Sequence, residues 1–266
     1  MADPLIDAAN AISDKSPAIK RFALLAAQRI IADEAPPPPI LAPTPPLAVP
    51  PAPVFTQGYS AAEVATLRTA GNIIPPKAYS VTFPSDKLAR FEVRSGDQWL
   101  TWSGERAAIQ LPQPTFQGGE GDEWSWSTTF MLDPGFQFST GFYNVLWQAH
   151  HTSSQGSPPI TVQLHGDRVV LRIVKSNDMA QSMYWDEFDL GAATPGTAQG
   201  LAVACHLSTD AAKGVTLAGI DHNTAVMQHR ANLLTQAPHN YVEWGLYRAP
   251  SPLTQVVSFG PMVRTA

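Results

Sequence analysis

Three short segments carry the residue types that move protons and stabilise developing negative charge, each at a spacing of two. They are Arg90-Phe91-Glu92-Val93-Arg94, Trp147-Gln148-Ala149-His150 and Tyr241-Val242-Glu243-Trp244-Gly245-Leu246-Tyr247. Alternate side chains of a β-strand share a face. Read as strands, the segments put Arg90, Glu92 and Arg94 on one face, Gln148 and His150 on another, and Tyr241, Glu243, Gly245 and Tyr247 on a third. The opposite faces are apolar. Guanidinium and amide donors stabilise an oxyanion as it forms, and imidazole and phenol take and deliver protons. If the three strands share one sheet of a sandwich, their apolar faces make the core and their polar faces line one concave surface.

The surrounding sequence supplies strands to hold them. From about residue 79, β-rich runs alternate with Gly, Pro, Ser and Asp clusters: Ala89–Val93, Trp124–Leu132, Tyr143–Ala149, Ile160–Leu164, Arg168–Val174, Gly200–Leu207 and Tyr241–Tyr247. Val215–Ile220 reads as a further strand. Many short strands at this spacing predict a mainly β fold, a sandwich or jelly roll. Ahead of it, residues 1–34 read as a helical arm, with Ser16-Pro17 as N-cap and first helical position. Ile19, Phe22, Ala23, Ala26 and Ile30 lie on one helical face. Residues 35–57 form a proline-rich linker in extended polyproline II conformation. Residues 58–78 hold a short helix, opened by the capping box Ser60-Ala61-Ala62-Glu63, and a connector. The head then occupies 79–266.

The three polar segments resemble motifs of the jelly-roll polysaccharide lyases, which include the alginate lyase and heparin lyase I-like groups. Arg90–Arg94 is similar to their Arg-x-Glu-Leu-Arg motif, Gln148–His150 to Gln-x-His, and Tyr241–Tyr247 to Tyr-x-Lys-x-Gly-x-Tyr. All three occur in the family's order. The resemblance implies a concanavalin A-like β-jelly-roll and β-elimination next to a uronic acid. It implies that Arg94 and Gln148 hold the sugar carboxylate, that His150 is base or carboxylate partner, and that Tyr247 is base or acid. Arg90, Tyr241, Glu243 and Arg248 would contact substrate, with Arg90 and Glu92 forming a supporting ion pair. One position departs from the pattern. Glu243 stands where the alginate lyases have Lys, and a carboxylate there repels an anionic chain. A sugar-binding head without catalysis is the alternative this raises.

Composition bounds the rest. With 17 Lys plus Arg against 22 Asp plus Glu, the net charge of −5 and the lack of a basic run argue against a nucleic-acid partner. The one cysteine, Cys205, excludes an intrachain disulfide framework and a multi-cysteine metal site. It reads as a buried hydrophobe. No cofactor or metal is expected, because His150 and His151 point to opposite faces and His222, His229 and His239 lack ligand spacing. No apolar stretch is long enough to span a bilayer, and the first residues do not read as a signal peptide. A glycoside hydrolase needs two carboxylates across one bond. Glu187 and Asp189 share a strand face, but this ranks below the lyase reading. A helical arm, a proline stalk and a jelly-roll head predict tethering to another protein chain, as in a virion appendage or phage fibre, with a homo-oligomer left open and acidic polysaccharide as ligand.

Overall fold

The computed structural model describes residues 59–75, 77–98, 104–111, 117–139, 143–153, 156–221 and 226–264. The predicted helical arm and proline-rich linker lie outside the described residues. The predicted short helix is present as α1 (Ala61–Thr69), and its capping box is formed. Ser60 Oγ accepts from the Glu63 amide at 3.3 Å, and the Glu63 carboxylate accepts from the Ser60 amide at 2.9 Å. These bonds satisfy two amides that a helix start leaves without partners.

The remaining chain folds into two antiparallel sheets packed as a jelly-roll sandwich. The first sheet runs in the order β1 (Ile73–Ile74), β4 (Glu105–Gln110), β13 (Asn240–Arg248), β6 (Asn144–His151), β7 (Ile160–His165), β8 (Arg168–Val174) and β9 (Trp185–Ala192). The second runs β12 (Val226–His229), β11 (Val215–Ile220), β10 (Ala198–His206), β5 (Glu123–Leu132), β14 (Gln255–Phe259), β3 (Leu88–Val93) and β2 (Val81–Ser85), with β15 (Val263–Arg264) also pairing β5. Half of the neighbouring pairs along the two sheets, among them β4 with β13, β13 with β6 and β14 with β3, join strands distant in sequence, so closing the sandwich fixes many long-range pairings at once.

Period-two alternation builds the core. Val242, Trp244 and Leu246 of β13, Trp147 and Ala149 of β6, and Val162 and Leu164 of β7 are all buried on the inner face of the first sheet. Phe91, Phe130 and Phe259 meet them from the second, with Phe91 and Phe259 edge to face at 5.5 Å between centroids. Each valine, leucine or phenylalanine among them contributes about 1.5–3 kcal/mol on full burial. Cys205 is buried among them, as expected.

Two predicted site residues have structural roles instead. Arg248 ends β13 with its side chain 2% exposed, and its Nε and Nη2 donate to Glu105 Oε2 at 3.0 and 2.9 Å. Its Nη1 donates to Gln255 Oε1 at 2.8 Å and Nη2 also to the Leu253 carbonyl at 2.6 Å. A guanidinium spent this way ties β13 to β4 and β14 and does not meet a sugar. Arg90 lies on β3, in the second sheet. Phe91 and Val93 of that strand face the core, so Arg90, Glu92 and the following Arg94 project from the outer side of the sandwich. The predicted Arg90–Glu92 ion pair is present at 2.5 Å.

Candidate active site

The outer face of the first sheet is a polar trough, and the strand register writes its floor. Gln110 of β4 pairs with Glu243 of β13, Glu243 with Gln148 of β6, Gln148 with Thr161 of β7, Thr161 with Arg172 of β8, and Arg172 with Glu187 of β9. This is one row of side chains crossing six strands. Further along β13, Tyr247 pairs with Arg106 of β4 and Val145 of β6. In the other direction Tyr241 pairs with His150, and their rings stack at 5.6 Å and 18°. Gln148, His150, Tyr241, Glu243 and Tyr247 therefore occupy one face, as the two segments predicted.

The arginine of this face beside Tyr247 is Arg106, which the sequence reading missed. Arg94 is elsewhere: its Nε donates to Glu92 at 2.5 Å, and its guanidinium covers the Tyr79 ring at 3.8 Å. The sandwich separates it from the trough, since packed sheets stand about 10 Å apart. Arg106 instead places its guanidinium 4.1 Å from the Tyr247 ring centroid, with Nη1 3.5 Å from Glu243 Oε1. Its charge is also felt at His150, Tyr143 and Tyr241, so these groups gather around one cation. A usable signal existed: in Glu105-Arg106-Ala107-Ala108-Ile109-Gln110, positions 106 and 110 are polar while 107 and 109 are apolar.

Local backbone features aim the tyrosine. The β13–β6 register slips between Trp244 and Tyr247, and the β6–β7 register slips between Val145 and Trp147. Such bulges re-aim side chains and recur beside active sites. Gly245 sits in the bulge at φ +141, where a Cβ would run into the Ala107 carbonyl of β4. Gly104 lies directly against the Tyr247 ring, and a Cβ there would overlap it. Beside the bulge a small dimple of about 10 Å³, room for one water, is lined by Gln148, Glu243, Gly245 and Tyr247, among others. Tyr143 packs on Tyr247, with ring centroids 5.5 Å and hydroxyls 3.5 Å apart.

The electrostatics assign protonation states. Burial, reinforced by the neighbouring His151, holds the His150 pKa down to about 4, so its imidazole is neutral near pH 7. Its Nδ1 lies 2.8 Å from the His151 carbonyl oxygen, which can only accept. The ring proton therefore sits on Nδ1, and Nε2 carries a lone pair. Burial raises the Glu243 pKa, opposed by Arg106 and by a hydrogen bond from Gln148. This carboxylate, 3% exposed and 3.5 Å from the Arg106 guanidinium, is not an open anion facing the trough. The repulsion expected from Glu243 is thereby reduced. Burial also raises the pKa of Tyr143 and Tyr241, so both are neutral phenols.

The rival carboxylate pair is occupied. Glu187 contacts His165 at 3.0 Å and Arg172 at 3.2 Å, and Asp189 meets Arg168 at 2.5 Å. His151 does not point cleanly away from His150 as predicted; the two rings lie 4.6 Å apart. Among the described residues no group of three or more His, Cys, Asp or Glu could hold a metal ion, and no helix is long and apolar enough to cross a membrane.

A family model described as "Polysaccharide lyase" matches residues 77–259. Among solved structures, the chain is similar to an endo-β-1,4-glucuronan lyase from the fungus Trichoderma reesei, with TM-score 0.56, 11% identity, and 73% of this chain and 90% of that one covered. It is also similar to the alginate lyase Aly36B, with TM-score 0.53, 16% identity, and 80% and 93% covered. The alginate lyase A1-II′ gives TM-score 0.54 at 8% identity over 71% of this chain and 84% of that one. These identities speak for the fold alone. No curated protein matches the chain in sequence.

Proposed function

Since the chain belongs to the polysaccharide lyase family, we propose that its trough cleaves a uronic-acid-containing glycan by β-elimination. The observation that carries this reading is that Gln148, His150 and Tyr247 share one sheet face with Arg106, which stacks on Tyr247. The lyases of similar fold act on glucuronan and alginate, both chains of uronic acids, which makes these the first substrates to try.

The chemistry follows from the residue types. The C5 proton of a uronic acid lies next to a carboxylate, so its removal builds charge onto that group. Arg106 supplies the positive charge that stabilises the enolate-like state, in the role first expected of Arg94. Gln148 Oε1, buried without a hydrogen-bond partner, lies in the floor on which the sugar would rest. The neutral His150 takes the C5 proton on Nε2. The bond from C4 to the glycosidic oxygen breaks, the Tyr247 phenol gives its proton to the leaving oxygen, and a C4–C5 double bond remains. No water is added. Tethering of the head by residues 1–34 to a larger assembly, such as a virion, remains part of the proposal; deleting that segment should release a folded head, and a head still held in the assembly would refute the tether.

Incubation with glucuronan, alginate and heparin-type chains, followed by ultraviolet absorbance of unsaturated uronate, tests the reaction. Product from at least one chain supports it. Binding without product would leave a carbohydrate-recognition module.

A further inference from the structure

Resting on the lyase reading, we infer that Trp185 and Arg172 form a distal subsite for the same uronate chain, so that the protein prefers long substrates. The trough floor does not end at Gln148. The register continues through Thr161 and Arg172 to β9, where the guanidinium of Arg172 lies 3.4 Å from the Trp185 ring centroid. Trp185 and Glu187 are two apart on β9, and both contact Arg172, so Trp185 belongs to the trough face.

Two independent observations point to a ligand there. Along the row, Gln148 Oε1 of the candidate catalytic group and Thr161 Oγ1, which lies between Gln148 and Arg172, are buried and lack any hydrogen-bond partner, on residues 2% and 7% exposed. Orphaned buried polar atoms are costly, and sugar hydroxyls laid along the row would satisfy them. Second, Met183, Tyr184 and Trp185 are the large exposed hydrophobic residues among those described, at 70%, 62% and 36%. They adjoin one another at the rim of the edge strand. An indole beside a guanidinium offers a sugar acid both an apolar ring face and a positive charge. Arg172 is held for this by Gln163, whose Oε1 accepts from Nη1 at 3.0 Å, and by Glu187 at 3.2 Å. From β13 to β9 the row spans four strand spacings, about 19 Å, a length that several linked pyranose rings fill.

The test uses size-graded glucuronan and alginate oligosaccharides with the full chain. Turnover is measured for the unaltered protein, Trp185→Ala, Trp185→Phe and Arg172→Gln. Binding is measured by calorimetry in the Tyr247→Phe background. Trp185→Ala should lower the ratio of kcat/KM on long chains to that on short ones about tenfold. The change should fall mainly in KM, and Trp185→Phe should recover most of it. Arg172→Gln should lower the same ratio. If all variants keep the unaltered length preference while turnover persists, the distal subsite is refuted and the lyase reading stands. If the unaltered protein neither cleaves nor binds any oligosaccharide, the lyase reading falls and takes the subsite with it.

Discussion

Arg106 and Tyr247 are direct cross-strand partners, and the guanidinium of one stacks on the ring of the other at 4.1 Å. The cation and the phenol are thus set by a single register. Arg106→Ala should lower turnover about 10²–10³-fold, measured as kcat/KM on whichever uronate polymer is cleaved. Arg94→Ala, on the far side of the sandwich, should stay within about threefold of the unaltered protein, because exposed ion pairs contribute little. Equal losses in both would contradict the geometry.

Tyr247→Phe removes one hydroxyl and keeps the ring on Arg106. Turnover should fall by about 10²–10⁴-fold, while oligosaccharide affinity measured by calorimetry stays near that of the unaltered protein. Full turnover would take the phenol out of the reaction.

His150 should titrate far below an ordinary histidine. Its folded pKa is about 4 against 6.5 for a free imidazole. Between those values the unfolded chain binds the proton and the folded one does not, so stability falls as pH drops through this window. Proton NMR of the imidazole should show a midpoint near pH 4, and His150→Phe should flatten the stability profile there. A midpoint near 6.5 would show that the ring is not desolvated.

Glu243→Lys would install the residue type of the resembled alginate lyase motif. Here it would place a second buried cation beside Arg106, so we expect a stability loss of about 3–5 kcal/mol in urea denaturation and no gain in turnover. A stable, faster variant would mean that the Glu243–Arg106 pair is dispensable.

Arg248 should behave as a structural residue. Arg248→Ala strands the Glu105 carboxylate in the core, at a cost of about 3–5 kcal/mol. Combining it with Glu105→Ala should recover part of that loss. Comparable unfolding midpoints for Arg248→Ala and the unaltered protein would contradict the buried pair.

Much of this was legible before the structure. Alternation along Gln148–His150 and Tyr241–Tyr247 placed the right side chains on one face, and β6 and β13 do lie side by side. Ser60 and Glu63 announced α1. What failed was the sheet assignment of β3. Period two tells which residues share a face, but not which sheet takes the strand; that is decided by pairings with β14 and β2, distant from or adjacent to it in sequence. The pattern in β4 was weak for a related reason. Ala107 and Ala108, which follow the arginine, are identical small side chains on opposite faces, so Arg106 stood out only once β13 lay beside it. Arg248 looked available because its partner, Glu105, is 143 positions away.

The measurement that bears most directly on the trough as a lyase site is digestion of glucuronan and alginate in heavy-oxygen water, with products weighed by mass spectrometry. Elimination predicts unsaturated fragments, each new pair summing to the parent mass, with no solvent oxygen incorporated and far fewer formed by Tyr247→Phe. Fragments carrying one heavy oxygen per cleavage would identify hydrolysis, and intact polymer throughout would leave a trough that recognises sugar acids without breaking them; either result contradicts the account.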